Sequence, residues 1–468
     1  MALFDSADRR PVHFLGIGGA GMSALALIAC RRGVRVTGCD ADPSGAPDLA
    51  ALGVAVVQGH APSHVEGARA VVHTAAVPAD HPELVRAREL GIPVVPRKVA
   101  LAELIAGQRV LAVSGTHGKT TTTVMATEAL AALGREPTGI AGGRVSTWGG
   151  NARIPEQPFG RDSLFVVEAD EYDQAFLTLS PTVAIVNNVE PDHLECYGSV
   201  PALEAAFAEF AGRAEAVFLG ADDPGAQRVC SAIRAAGGRA KALTFGLGSD
   251  ADIPIRGIVQ SADGTTAQVT FPAVGTVTVR LQVPGVHNLR NAVGALAAVL
   301  QLAPGDPAPA LEALHRFGGV GRRFERLGEA GGVAVIDDYA HHPSELVATL
   351  GAVRQAYPGR RLVAVFQPHL YSRTALHGPA MGAALAQADL VIVTEIYAAR
   401  EQPMPGITGR GVADAARVAG ATALFEPNRQ SLARAVLSRL APGDVVVTLG
   451  AGDITRVGPE LLRQLQPA

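Results

Sequence analysis

The chain has 468 residues, of which 48% are hydrophobic, 18% charged and 4% aromatic, and it carries a formal net charge of −4. That length suggests about three domains, and the apolar fraction excludes a disordered chain. The 44 acidic and 40 basic residues are interspersed without a basic block, which weighs against a nucleic-acid partner. Cys30, Cys39, Cys196 and Cys230 are too few and too scattered for a disulfide framework or a zinc knuckle. No apolar leader opens the sequence, and no apolar run approaches the roughly 18 residues of a membrane helix, so a cytoplasmic enzyme with no membrane partner is expected.

In chain order, strands at Val12–Leu15, Val34–Gly38, Val54–Val57, Ala70–Thr74 and Val94–Val95 alternate with helices at Met22–Arg32, Leu49–Leu52, Glu83–Leu90 and Lys98–Ile105. This is the strand–helix rhythm of a parallel sheet, and it places the fold in the α/β class. A boundary is expected at Gly107–Gln108. A strand at Arg109–Val113, a Gly-rich turn and a helix from Lys119 to about Leu133 open the second section. Strands Leu164–Glu168, Val183–Asn187 and Ala216–Leu219 follow, with a helix at Pro201–Phe210. The Thr/Val-rich stretch Ile253–Val283, with its Asp263-Gly264 turn, reads as antiparallel hairpins. A helix at Asn288–Leu302 and a second boundary near Phe317–Gly321 come next. The last section alternates again, with strands at Val333–Ile336, Leu362–Phe366, Leu390–Thr394 and Val445–Leu449.

Six stretches carry chemistry. Gly16-Ile17-Gly18-Gly19-Ala20-Gly21 sits between a strand and a helix, where glycines let the backbone approach a diphosphate and the helix N-terminus offers N–H groups. Asp40 ends the next strand, where a ribose-binding acid belongs. NAD and a UDP-sugar both fit, and a ligand-free crossover is the plain alternative. Gly115-Thr116-His117-Gly118-Lys119-Thr120-Thr121 lacks the first glycine of a full Walker loop, yet keeps its phosphate-cradling end. Lys119 answers β/γ-phosphate charge and Thr120 reaches Mg²⁺. Only three lysines occur, Lys98, Lys119 and Lys241, so Lys119 is not background.

Glu168-Ala169-Asp170-Glu171-Tyr172-Asp173 ends a strand beside that loop, where metal-binding acids belong, and Glu168 is aimed best. In Asn187-Asn188-Val189-Glu190-Pro191-Asp192-His193, His193 is a metal-ligand candidate with Asp192 orienting its ring. Asn288 and Asn291 lie one turn apart on a helix, and paired amides suit a purine edge. Helix capping and surface polarity are their ordinary reading. Arg322-Arg323-Phe324, Asp337-Asp338-Tyr339-Ala340-His341-His342-Pro343 and Gln367-Pro368-His369-Leu370-Tyr371-Ser372-Arg373 put charged groups at strand ends. These groups suit an amino acid's carboxylate and ammonium, with Arg373 a bidentate carboxylate anchor.

Taken in order, GTHGKTT, EADEYD, PDH, GVHNLRN, GRRFE and DDYAHHPSE resemble the Mur ligase family from Gly16 to Gly452. HFLGIGGAGMSALA and FQPH-x-Y-S-R are most similar to its alanine-adding branch. The resemblance implies three domains: a Rossmann-like UDP-sugar-binding domain at 1–107, a P-loop ATP/Mg²⁺ domain with a mixed sheet and extra antiparallel strands at 108–319, and a Rossmann-like amino-acid-binding domain at 320–468 that closes over the site. It implies ATP-dependent ligation of L-alanine to the lactyl carboxylate of UDP-N-acetylmuramate through an acyl phosphate, in peptidoglycan precursor synthesis, by a monomer or weak homodimer.

By the same resemblance, Thr120, Glu168 and His193 are metal ligands, and Gly115 to Thr121, Asn288, Asn291, Arg323 and Asp338 hold ATP. Gly16, Gly18, Gly19, Ala20, Gly21, Asp40, Tyr339, His369 and Arg373 face the other substrates. Lys119, Glu168, His193, Arg373 and His341, the last a possible base, are the catalytic set. Some alanine-adding members carry Arg where this chain has Leu370, which leaves Arg373 as the carboxylate anchor. Sister ligases use a carbamoylated lysine, but no lysine lies between Lys119 and Lys241. A ligase acting on a murein tripeptide and the same UDP-sugar is the near alternative, and its pocket must admit a longer acceptor. An NAD-dependent dehydrogenase leaves Lys119, Glu168 and His193 without a role. A non-enzymatic UDP-sugar binder would not turn over ATP.

Overall fold

Strands β1 (Val12–Leu15), β2 (Val36–Asp40), β3 (Ala55–Gln58), β4 (Ala70–His73) and β5 (Val94–Pro96) pair in the order β3-β2-β1-β4-β5, all parallel. The computed structural model describes residues 3–156, 163–399 and 401–466. Alternation along β1 divides its side chains between the faces. Val12 and Phe14 pack with Met22, Leu25 and Ile28 of the helix Ala20–Arg31. Leu15 faces the other way, toward Cys39, Val71 and Leu84. The helix Ala20–Arg31 begins two residues before the first apolar position of its pattern, because extended Gly19 already caps it.

The second sheet has ten strands. They are β6 (Arg109–Ser114), β7 (Thr138–Val145), β8 (Gly150–Arg153), β9 (Leu164–Glu168), β10 (Val183–Val186), β11 (Ala216–Gly220), β12 (Lys241–Gly246), β13 (Ile253–Ser261), β14 (Gly264–Phe271) and β15 (Gly275–Leu281). The order is β15-β14-β13-β12-β11-β10-β6-β9-β7-β8. Its centre is parallel, β8 is antiparallel to β7, and β13 to β15 form a meander whose two- and three-residue turns only antiparallel neighbours permit. The hairpin of β7 and β8 is not evident in the sequence, because its glycines read as loop. Those glycines serve close packing: a Cβ on Gly139 would lie 2.7 Å from Thr127 and 2.8 Å from the Trp148 ring.

The third sheet comprises β16 (Glu325–Ala330), β17 (Val333–Asp338), β18 (Leu362–Phe366), β19 (Leu390–Val393), β20 (Ala423–Phe425) and β21 (Val445–Leu449), in the order β16-β17-β21-β18-β19-β20. Only β16 runs antiparallel. Both faces are covered, one around Ile336, Ala364 and Val447, the other around Val335, Val365 and Val446. Buried on both sides, these strands are continuous Val/Ala/Ile runs rather than alternating ones.

The fold is therefore three-domain α/β, with a parallel sheet first, a mixed ten-stranded sheet next, and a third sheet that is parallel but for its edge strand β16. Two compact units contain it: residues 1–257, 267–279 and 290–316 form one, and residues 258–266, 280–289 and 317–468 the other. No disulfide joins the cysteines, and no described helix is long and apolar enough to cross a membrane.

Candidate functional site

β6 hands the chain to the helix Lys119–Ala132 through Gly115 to Gly118. Gly115 (φ 130°) and Gly118 (φ 81°) hold backbone angles that disfavour other residues. A Cβ on Gly118 would also lie 2.5 Å from the Asn291 side-chain oxygen and 3.0 Å from the Asn187 amide. The end of β10 clamps the loop. The backbone N–H of His117 donates to Asn188 Oδ1 at 2.8 Å, and that of Thr116 donates to the Asn188 carbonyl at 3.1 Å. Asn187 Nδ2 donates to the His117 carbonyl and to Thr122 Oγ1. No side chain caps the helix that follows, so its first-turn N–H groups suit an anion.

Lys119 lies back along this loop. Its Nζ donates to the Gly115 carbonyl at 2.7 Å and to both oxygens of Glu171 at 2.9 and 2.8 Å. Burial opposes the lysine's charge, but Glu171, Asp170 and Glu168 outweigh it and hold the pKa above the usual value. Glu171 is itself buried, and its carbonyl accepts from Tyr197 Oη at 2.5 Å. In the sequence Glu171 is one acid among several, with no task of its own. The signal was a lysine confined between apolar strand and helix, which needs a counter-charge.

Glu168 ends β9, and its carboxylate accepts from the Gly142 N–H. His193 stands at the start of the short helix Leu194–Tyr197 with φ 51°. Its Nε2 is 3.7 Å from Asp192 Oδ2, its Nδ1 is 3.5 Å from Glu195 Oε1, and its ring meets Tyr172 edge-on at 5.0 Å. Asp192, expected from the sequence to orient this ring, accepts the His193 backbone N–H at 2.9 Å. Among the described residues, neither Glu168 nor His193 belongs to a group of three His, Cys, Asp or Glu whose ligand atoms lie within 4.8 Å of one another. The protein thus offers a partial set of donors. Thr120 and Glu168 carry hard oxygens, the donor chemistry that suits Mg²⁺, an ion that keeps waters and takes few protein ligands beside phosphate. Asn291 lies against Gly118, whereas Asn288 Nδ2 donates to the Pro284 carbonyl at 2.8 Å.

At the N-terminal sheet, the Gly18 N–H donates to Asp40 Oδ2 at 2.9 Å, and the Asp42 N–H donates to Asp40 Oδ1 at 2.9 Å. Asp40 therefore braces the glycine loop. A Cβ on Gly18 would lie 2.7 Å from the Asp42 carbonyl, and one on Gly21 would lie 2.8 Å from the Arg97 guanidinium. Gly16 takes φ 80°, and Gly19 and Ala20 lead into the helix.

In the second unit, the Tyr339 ring carries the guanidinium groups of Arg322 and Arg323 at 4.8 and 5.0 Å. Arg322 donates to the Gly450 carbonyl at 2.7 Å, and Arg323 pairs with Glu345 at 3.5 Å. Asp338 is the staple of this region. Its carboxylate accepts from the N–H groups of Phe324 (2.7 Å) and Ala340 (2.8 Å) and from Thr349 Oγ1 (3.2 Å). Burial nevertheless pushes its pKa up to about 6, against the pull of Arg323 and these donors. His341 Nδ1 is 2.9 Å from the Tyr339 carbonyl, and its ring is 5.9 Å from that of His369. Arg373, buried in the first turn of the helix Tyr371–Leu385, is 3.4 Å from His369 Nδ1. Tyr339, His341, His369, Arg373, Arg323 and Asp338 thus occupy one end of the third sheet. Arg322 and Glu345 join them without having been assigned roles from the sequence, as do Asn187 and Asn188 at the phosphate loop.

Comparisons with known proteins match three successive segments of the chain. Residues 11–109 match the Mur ligase family, catalytic domain; residues 113–299 match the Mur ligase middle domain; residues 322–452 match the Mur ligase, glutamate ligase domain. The chain is 44% identical over 466 residues to a UDP-N-acetylmuramate–L-alanine ligase of Thermobifida fusca, covering 97% of this chain and 96% of that one. It is 43% identical to the ligase of the same name from an Anaeromyxobacter species, over 100% of both chains. The crystal structure of a UDP-N-acetylmuramate-alanine ligase from Thermotoga maritima superposes with a TM-score of 0.82 at 30% identity, covering 97% of this chain and 98% of that one. A murein peptide ligase from Psychrobacter arcticus shares the fold, with a TM-score of 0.72 at 24% identity over 98% and 99% of the two chains.

Proposed function

Because this chain belongs to the Mur ligase family, we propose that it joins L-alanine to the lactyl carboxylate of UDP-N-acetylmuramate with cleavage of ATP, the activity for which its relatives at 43–45% identity are named. The observation that carries the reading is the phosphate loop. Its half-buried lysine sits among three acids, in a chain matched to such ligases along nearly its whole length. The division of labour is residues 1–107 for the UDP-sugar, 108–319 for ATP and Mg²⁺, and 320–468 for the amino acid. The enzyme works in the cytoplasm as a monomer or weak homodimer.

The chemistry follows from charge. A carboxylate does not react with an amine unaided, because its oxygen is a poor leaving group, so it is first converted to an acyl phosphate. Lys119 and the N–H groups of the loop and helix Lys119–Ala132 hold the phosphates and oppose the charge that develops on the transferred group. Thr120, Glu168 and His193 would hold Mg²⁺, which would supply further neutralisation of that charge. Asn288 and Asn291 hold the adenine. Arg373 and His369 bind the carboxylate end of alanine, and Tyr339, stacked under Arg322 and Arg323, orders the neighbouring loop. His341 takes the proton that the amine must lose. Asp40 keeps the glycine loop shaped for the UDP-sugar diphosphate.

Phosphate release with Mg-ATP and UDP-N-acetylmuramate tests the reading, with L-alanine, glycine, L-serine or the murein tripeptide added in turn. Release that requires both the UDP-sugar and L-alanine is expected. Release with the tripeptide alone would move the chain to the peptide-ligase branch, and no release with any acceptor would leave a nucleotide-sugar binder.

A further inference from the structure

Behind the glycine loop, on the sheet face opposite the helix Ala20–Arg31, four side chains converge on a carboxylate that is fully buried. Glu83 comes from the first turn of the helix Pro82–Glu89 and has no exposed surface. His13 (β1) and Cys39 (β2) reach it from the sheet, and both are buried. His60 and His64 reach it from the loop after β3. Cys39 Sγ lies 3.1 and 3.3 Å from the two Glu83 oxygens, 3.4 Å from His13 Nε2 and 3.4 Å from His60 Nδ1. His13 Nε2 is 3.5 Å from Glu83 Oε2, and His60 Nδ1 is 3.4 Å from Oε1. His64 Nδ1 is 3.2 Å from the same Oε1 and does not reach the sulfur by any such contact. Among the described residues, the ion-pair partners of Glu83 are these three histidines; no lysine or arginine pairs with it.

We propose that His13, Cys39, Glu83 and His60 form a binding site for a zinc-class divalent cation, distinct from the magnesium site of the ligase reaction. The donor set is one thiolate, two imidazoles and one carboxylate, the mixture that a borderline-soft cation takes. The spacing agrees. Tetrahedral bonds of about 2.0–2.3 Å put neighbouring ligand atoms about 3.3–3.6 Å apart. His13, Cys39 and Glu83 each place one ligand atom within 4.8 Å of the other two, and His60 Nδ1 stands 3.4 Å from Cys39 Sγ and 3.4 Å from Glu83 Oε1. The outer shell is also present. His13 Nδ1 is 3.1 Å from Thr37 Oγ1, and Glu83 Oε1 accepts from the Ala61 N–H at 2.9 Å, so ring and carboxylate are already oriented. His60, whose side chain is 31% exposed, marks the entry path.

Burial, together with the Glu83 bond and charge, holds the Cys39 thiol above its usual range. Binding therefore breaks the S–H bond and forms a sulfur–metal bond. The proton goes to solvent, with no change of oxidation state. The bound cation ties β1, β2, the loop after β3 and the helix Pro82–Glu89 together. It does so directly behind the glycine loop, whose Gly16 and Ile17 N–H groups donate to the Cys39 carbonyl.

The test uses the full chain stripped with a chelator and titrated with Co²⁺, then with Zn²⁺. One equivalent of Co²⁺ is expected to give a thiolate-to-metal charge-transfer band with tetrahedral visible bands, both displaced by Zn²⁺, and Zn²⁺ is expected to raise the melting temperature. The charge-transfer band should vanish in Cys39→Ser and persist in Cys196→Ser, the cysteine nearest the candidate magnesium ligands in sequence. His60→Ala alters a loop position that does not build the core, and it should weaken Co²⁺ binding by about 10-fold or more. Absence of the band at one equivalent, its survival in Cys39→Ser, or wild-type affinity in His60→Ala would overturn the site.

Discussion

Lys119 and Asp338 show how much of this molecule turns on single buried charges. Lys119 is expected to be indispensable to turnover: Lys119→Ala should lower kcat by about 10²–10³-fold or more, the scale of losing one donor to developing charge, and near-normal kcat would remove it from the reaction. Glu171 is a different case, because it pairs with the lysine instead of the substrate. Glu171→Gln removes the carboxylate that pairs directly with a part-buried ammonium and leaves Asp170 and Glu168 as its remaining acids, and unfolding in denaturant should show a loss of about 1–3 kcal/mol. Asp338 makes a pH prediction. Its carboxyl ionises near 3.8 in the unfolded chain and near 6 in the folded one, so between those values the native state holds the extra proton. By linkage its contribution to stability is fully present below about pH 4 and is lost as pH rises through 6, a change of about 3 kcal/mol. The melting temperature of Asp338→Asn relative to wild type should therefore rise from pH 4 to pH 7. A constant difference would contradict the assignment.

The strand–loop–helix from Arg109 to Ala132 was readable as a unit because its signals are local: an apolar run, glycines where φ is positive, then Lys and a run of Thr opening a helix. Gly118→Ala tests that unit. The variant must place a Cβ 2.5 Å from Asn291 Oδ1 at φ 81°, which costs about 1–3 kcal/mol of strain. Calorimetric titration should show weakened binding of a non-hydrolysable ATP analogue, and unchanged affinity would contradict the loop's role. The hairpin of β7 and β8 is not readable, because its glycines answer to Thr127 and Glu168, outside the hairpin, and to the Trp148 ring folded back from its own turn. The Asn187–Asn188 clamp was hidden for the same reason: its partners are backbone groups more than sixty residues away. The four-donor cluster at Glu83 was invisible to cysteine counting, since it uses one cysteine and draws on two strands, a loop and a helix.

Across the whole molecule, the α/β class and the alternation of strand and helix come from period and composition, and the motif order gave the family. Tertiary pairing decided the rest. The phosphate-loop residues lie in one compact unit, and Arg323, Asp338, Tyr339, His341, His369 and Arg373 lie in the other. Residue spacing shows that such residues exist but not which of their atoms meet. The central claim is that the acid is activated by phosphoryl transfer before the amine attacks. The most direct measurement is oxygen transfer: UDP-N-acetylmuramate labelled with ¹⁸O in its lactyl carboxylate, turned over with Mg-ATP and L-alanine, and the released phosphate weighed by mass spectrometry. One labelled oxygen per phosphate is predicted. Unlabelled phosphate formed together with the amide product would contradict an acyl phosphate and the mechanism built on it.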